Sequence, residues 1–323
     1  MCIAVRDALG DLDAGDLVLV ACSGGPDSLA LAAATARMAP RPGLRAGAVA
    51  VDHGWSAEAS AAARGAAEQC RSLGLDPVHL VAVEPTGPGG PEASAREARY
   101  GALDAVAEEL GAAAVLLGHT LDDQAETVLL GLARGSGARS LAGMALRRGR
   151  YRRPFLDLER RVTAQACAEL GLTPWSDPAN ADPSYARARV RAAAGTLEEA
   201  LGPGLAAALA RTADLLREDA DALDALGADL LAAADPAASG DLDPALLRAA
   251  PTAVRRRAML AAARAAGCPA GALSRAHAVA LDALLAGGGS RSTHLPGGVV
   301  ARVEYGRLRL ASPQSRADDT GRE

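Results

Sequence analysis

The chain contains no lysine, so all 34 of its Lys and Arg residues are arginines. A Walker-type loop needs a lysine to reach the β- and γ-phosphates, which excludes P-loop kinase and GTPase chemistry. Aromatic residues make up only 2% of the 323 positions, and Phe155 is the sole phenylalanine, so a core has to be built from Ala, Leu and Val. Asparagine and isoleucine occur once each, at Asn180 and Ile3. The five cysteines (Cys2, Cys22, Cys70, Cys167, Cys268) form no Cys-x-x-Cys pair. That spacing argues against a disulfide framework, a zinc knuckle or an iron–sulfur site. No apolar run approaches the roughly 18 residues that span a bilayer, and no basic-then-apolar leader opens the chain. A reducing cytoplasm is the expected location, with no membrane partner.

What is present is segregated charge. The formal net charge of −5 by itself speaks against a nucleic-acid partner. Yet between Arg134 and Arg161 nine arginines stand against Asp157 and Glu159, a local net of +7 in Gly-rich, non-periodic sequence. Residues 198–243 carry eleven acids against Arg211 and Arg217, and residues 248–264 carry five arginines and no acid. For that last block a solvated helix face and a polyanion surface stay equally open; the first block favours the polyanion surface.

Residues 17–21, 46–51, 77–83 and 113–118 read as short buried strands, separated by helical stretches near 26–38, 57–73 and 92–110. This βαβαβαβ order predicts an α/β fold, a parallel sheet wrapped by helices, with ligands beyond the carboxyl ends of the strands. The Gly/Pro-rich residues 86–91 are expected to form a flexible loop able to close over the site. After about residue 191 the sequence turns helical, and residues 292–310 form a β-like tail that turns at Pro296-Gly297-Gly298. The expected organisation is an α/β domain over 1–195, a helical linker over 196–234, a smaller, mainly helical domain over 235–311 and a disordered tail over 312–323.

Ser23-Gly24-Gly25-Pro26-Asp27-Ser28 joins the first strand to the first long helix. Two glycines let the backbone approach an anion, Pro26 suits a first helical turn, and the free amides of the helix start point into the loop. The dinucleotide fingerprint does not fit, because its spacing wants a third glycine where Asp27 or Ser28 stands. The six-residue run resembles the PP-loop ATP pyrophosphatases, which split ATP into AMP and pyrophosphate while adenylating a substrate. That resemblance implies a Rossmann-like sheet of the adenine nucleotide α-hydrolase type.

A second constellation follows the fourth strand, Gly118 to Thr127. Helical spacing gathers Asp122, Asp123 and Glu126 within about one turn. Beside a polyphosphate such a cluster is repulsive unless a cation intervenes, magnesium or a substrate ammonium. The same helix runs into a Gly-rich basic loop containing Arg134 and Ser136. Together with Val51-Asp52-His53-Gly54, Ala95-Arg96-Glu97-Ala98-Arg99-Tyr100, the Trp175 to Asp182 stretch, Arg187, Arg191 and Leu295-Pro296-Gly297-Gly298, these segments resemble the tRNA(Ile)-lysidine synthases along the whole chain. Two positions depart from that family's pattern. Thr120 replaces the second histidine of a His-His pair, and Ala188 replaces an asparagine.

The resemblance implies conversion of the wobble cytidine, position 34, of the CAU-anticodon tRNA(Ile) to lysidine, consuming ATP and free L-lysine and changing decoding from AUG to AUA. Ser23, Gly24, Gly25, Pro26, Asp27 and Ser28 then hold ATP, with Asp27 acting through Mg²⁺. Arg96 or Arg99 offsets phosphate charge, and His119 orients a phosphate or moves a proton. Asp123 and Glu126, with Asp122 beside them, hold the lysine ammonium and accept its proton. Arg134, Ser136 and the basic block contact tRNA phosphates. Asn180, Arg187 and Arg191 shape the entrance or the anticodon pocket, although Asn180 equally suits an Asx turn beside Pro178. Relatives of this kind are often homodimers. The alternatives are a PP-loop tRNA thiolase, whose paired cysteines are missing here, and a non-catalytic nucleotide-binding module.

Overall fold

A computed structural model describes residues 1–84, 91–135, 137–287 and 290–312. Of the expected loop at 86–91 all but Pro91, of the expected tail at 312–323 all but Ser312, and Ser136 lie outside the described residues. The chain divides into two compact units, Met1–Leu216 and Arg217–Glu323.

The first unit opens with α1 (Cys2–Ala8), β1 (Leu17–Ala21), α2 (Pro26–Met38), β2 (Arg45–Asp52), α3 (Ala57–Ser72), β3 (Val78–Ala82), α4 (Pro91–Glu109) and β4 (Ala114–Leu117). It continues with α5 (Leu121–Ala133), α6 (Ala138–Leu141), β5 (Arg147–Arg148), β6 (Tyr151–Arg152), α7 (Arg160–Glu169) and α8 (Ala186–Leu201). The boundary between units falls within α9 (Leu205–Ala234). The strands form one six-stranded sheet in the order β3-β2-β1-β4-β6-β5, parallel throughout except for the β5–β6 hairpin.

Alternation along the strands sorts the core into two layers. Val18, Val20 and Leu116 pack with Leu29 and Leu31 of α2 and with Phe155, while Leu17, Leu19, Val115 and Leu117 pack with Leu103 and Val106 of α4. Strands buried on both faces explain why they read as continuous apolar runs. The chain steps outward from β1 to β2 and β3, then returns to β4 on the other side of β1, which opens a crevice at the carboxyl ends of β1 and β4. Ser23 to Ser28 follow the first of these strands and His119 to Glu126 the second.

The second unit contains β7 (Asp241–Leu242), α10 (Pro244–Ala249), α11 (Thr252–Ala265), α12 (Arg275–Leu285), β8 (Arg291–His294), β9 (Val300–Glu304) and β10 (Arg307–Ala311). Its antiparallel sheet has the order β7-β10-β9-β8, and Leu247, Met259, Leu281 and Leu308 centre its core. The arginines at 248–264 are largely tied inward here. Arg248 donates to the Leu285 carbonyl at 2.7 Å, Arg255 and Arg256 share Asp282, and Arg257 reaches Asp224 at 2.6 Å. Among the described residues no helix is long and apolar enough to cross a membrane.

Candidate active site

The loop after β1 is shaped by its smallest residues. Gly24 has φ +83°, and a Cβ there would lie 3.3 Å from that of Ala66, so both torsion and space demand glycine. Ser28 Oγ donates to the Gly25 carbonyl at 3.0 Å and accepts the Ser23 amide at 3.2 Å, which binds the loop to itself. Gly25 provides no side-chain cap and Pro26 begins α2, leaving the first amides of the helix for a ligand. Gly118, at the end of β4, is the counterpart. A Cβ there would lie 3.0 Å from the Asp27 carbonyl, so the bare backbone lets the first turn of α2 sit against β4. The Trp175 amide donates to the Gly24 carbonyl at 2.9 Å, bringing the 175–182 stretch to the same loop.

Thr120 caps α5 in a capping box with Asp123, its own N–H reaching Asp123 Oδ2 at 2.8 Å. The residue that departs from the family's His-His pair is therefore a buried N-cap. Asp122 accepts the backbone N–H of Arg160 at 2.7 Å, satisfying an orphan donor at the start of α7. The Arg160 guanidinium then lies among the remaining acids, 2.8 Å from Asp123 Oδ1, 3.2 Å from Glu126 Oε1 and 3.7 Å from Asp27 Oδ2. Arg191 of α8 takes Glu126 with both ends of its fork, at 2.8 and 3.3 Å. Thr163 Oγ1 donates to Asp27. The cation that the acid cluster requires is thus, in the folded chain, a pair of arginines.

This environment separates the acids. Burial, only partly offset by Thr163 and added to by the Asp123 charge, raises the Asp27 pKa above the ordinary carboxylate value. For Asp123 burial also pulls upward, but Arg160 and the Thr120 amide outweigh it and the net shift is down. Burial lowers the His119 pKa to about 4, with the Arg153, Arg187 and Arg96 charges acting in the same direction against Asp123. His119 is therefore neutral at pH 7, and its Nδ1 is buried without a hydrogen-bond partner among the described residues.

The other candidates disperse around this centre. Arg187 donates to Thr127 Oγ1 at 3.3 Å, on the same helix as Glu126. Arg96 stacks over Tyr100 at 4.9 Å. Arg99 is exposed, and desolvation by the surrounding protein with the Arg96 and Arg187 charges holds its pKa down. Arg134 is the exposed C-cap of α5. The Asx turn beside Pro178 is made by Asp177, which accepts the Ala179 amide at 2.9 Å, and Asn180 is exposed. The basic block is not one surface. Arg147 and Arg152 bind Asp11, Arg161 pairs with Glu159, and Arg160 is the centre of the acid cluster. Arg160 and Thr163 are the site residues that sequence reasoning missed. Arg160 was visible only as one of nine arginines, and Thr163 carried no signal.

A parallel sheet with a lysine-free Gly-Gly loop on its first strand and an arginine-bridged acid cluster after its fourth defines a nucleotide-binding protein of the PP-loop class. Residues 5–196 match the PP-loop domain family, and residues 242–309 match the TilS substrate binding domain. The tRNA(Ile)-lysidine synthase of Thermobifida fusca is 57% identical over 309 residues, 94% of each chain. That of Streptomyces coelicolor is 55% identical over 302 residues, 92% of this chain and 86% of the other. Among solved structures, the U34-tRNA thiolase NcsA from Methanococcus maripaludis shares the fold at TM-score 0.57 and 21% identity, over 67% of this chain and 77% of that one. The chain belongs to the tRNA(Ile)-lysidine synthase family.

Proposed function

We propose that the protein ligates free L-lysine to C2 of the wobble cytidine of CAU-anticodon tRNA(Ile), giving lysidine. Cytosine O2 is a poor leaving group, so it must first be activated. O2 attacks the α-phosphate of ATP and pyrophosphate departs; the lysine ε-amine then attacks C2, and AMP leaves with the former O2. The observation that carries this reading is the meeting of Asp27 of the phosphate loop with Asp123 and Glu126 around one guanidinium. A phosphate loop and an ammonium-binding acid pair at one sheet end is the arrangement that two-step chemistry needs.

The amides at the start of α2 bind the phosphates, and Arg96 or Arg99 offsets their charge. Asp27 would hold the magnesium that accompanies ATP, which supplies charge neutralisation as pyrophosphate leaves. Asp123, held ionised by Arg160, receives the lysine ammonium with Glu126. An amine of pKa near 10.4 must shed a proton before it attacks; Asp123 and Glu126, which hold the ammonium, accept that proton, and His119 orients a phosphate or moves a proton.

The test supplies the full-length protein with ATP, labelled lysine and either CAU-anticodon tRNA(Ile) or elongator tRNA(Met). Lysine incorporation with AMP release on the first tRNA alone is expected. Release of ADP, or no incorporation, would overturn the reading.

A further inference from the structure

We propose that a cavity of about 500 Å³ lined by four arginines (Arg96, Arg148, Arg150 and Arg153), Tyr100, Tyr151 and the single acid Asp104 seats a second nucleotide of the RNA substrate, a single-stranded neighbour of the modified cytidine. The identity of the RNA rests on the lysidine reading; the site rests on its own geometry.

The β5–β6 hairpin sorts its arginines by face. Arg147 lies opposite Arg152 and Arg148 opposite Tyr151, and directly opposed residues share a face. One face is satisfied internally, since Arg147 and Arg152 reach Asp11 at 2.7 and 2.6 Å. The other looks into the cavity. There Arg148 is exposed and has no partner among the described residues. Arg153, two residues beyond Tyr151, is buried at 6% exposure. Its Nη1 donates to the Ala145 carbonyl at 2.9 Å, its Nε is buried and unpartnered, and no carboxylate pairs with it among the described residues. A buried guanidinium in that condition is costly unless an anion completes it. One acid, Asp104, shares the wall: it accepts the Tyr151 hydroxyl at 2.9 Å and, with Glu108, faces Arg150 at 3.8 and 3.4 Å, so the cavity keeps an excess of guanidinium charge.

The rest of the wall is flat and aromatic. Arg96 lies over the Tyr100 ring at 4.9 Å, and Tyr100 meets Tyr151 edge to face at 5.0 Å. Stacked guanidinium and tyrosine planes are the surfaces on which unpaired RNA bases settle, and the guanidiniums beside them match a phosphodiester. The volume suits one nucleotide. β6 pairs with β4 at Leu116 and Arg152, so Arg153 lies beside the end of the strand that leads into Gly118 and His119 and the cavity borders the catalytic cluster.

Full-length wild type and Arg148→Glu are compared for binding a CAU anticodon stem-loop and the same stem-loop made abasic immediately 5′ or 3′ of the cytidine. Arg148→Glu is expected to weaken the intact stem-loop roughly tenfold or more and to lower the salt slope by about one. The KM for RNA should rise while the KM values for ATP and lysine stay within about twofold. One abasic stem-loop should lose roughly five- to a hundredfold for wild type, and less for Arg148→Glu. Unchanged RNA affinity in Arg148→Glu, or weakened inhibition by pyrophosphate with RNA binding intact, overturns the proposal and in the latter case assigns the cavity to the released anion. Failure of the wild type to form lysidine counts against the proposed function alone, because the binding comparison stands without turnover.

Discussion

Arg160 is the residue on which the site's electrostatics turn. It holds Asp27, Asp123 and Glu126 together, so its removal leaves three neighbouring carboxylates with Arg191 as the one guanidinium bonded to them among the described residues. Arg160→Gln is expected to cost about 3–5 kcal/mol at neutral pH. Without that cation Asp27, already raised by burial, rises further and Asp123 loses the guanidinium that holds it down, so the lost stability returns as pH falls through their raised range. Urea unfolding at pH 7.5 and 5.5 checks this, and a variant no closer to wild type at the lower pH contradicts it. Asp123→Asn keeps an acceptor for the Thr120 amide and should fold normally, with lysidine formation reduced by about two orders of magnitude or more, measured by labelled lysine incorporation. Asp27, Asp123 and Glu126 could be read from the sequence because strand, loop and helix fix their spacing. Arg160 could not, because its partners lie 34 or more positions away and nothing local separates it from eight other arginines.

At the scale of elements, the contact between α2 and the end of β4 brings the two halves of the site together. Gly118→Ala places a methyl 3.0 Å from the Asp27 carbonyl and must push the first turn of α2 outward. A stability loss of about 1–3 kcal/mol is expected, together with a raised KM for ATP; a thermal melt and steady-state kinetics report the two. The long elements were legible. Residues 26–38 were expected as a helix and form α2, and the four expected strands appear within a residue or two of their predicted ends. The β5–β6 hairpin was not, because two-residue strands are too short to show periodicity and their arginines look like a solvated loop. The hairpin turns an apparently uniform basic block into two faces with different partners.

In the whole molecule, the shortage of aromatics concentrates packing on few large side chains. Phe155 is fully buried in the first unit, in the layer that also contains α2. Phe155→Ala is expected to cost about 3–5 kcal/mol and Phe155→Leu less than about 1.5 kcal/mol, read from urea unfolding. Equal effects of the two would mean that the surrounding small residues close over the gap. The guanidinium-only chemistry of the acid cluster has a practical outcome. Apart from the amino terminus the polypeptide offers no primary amine, so an isotope-labelled lysine ammonium that joins Asp123 and Glu126 can be observed by NMR against a silent protein background. Occupancy of the amine site becomes visible before any bond is made.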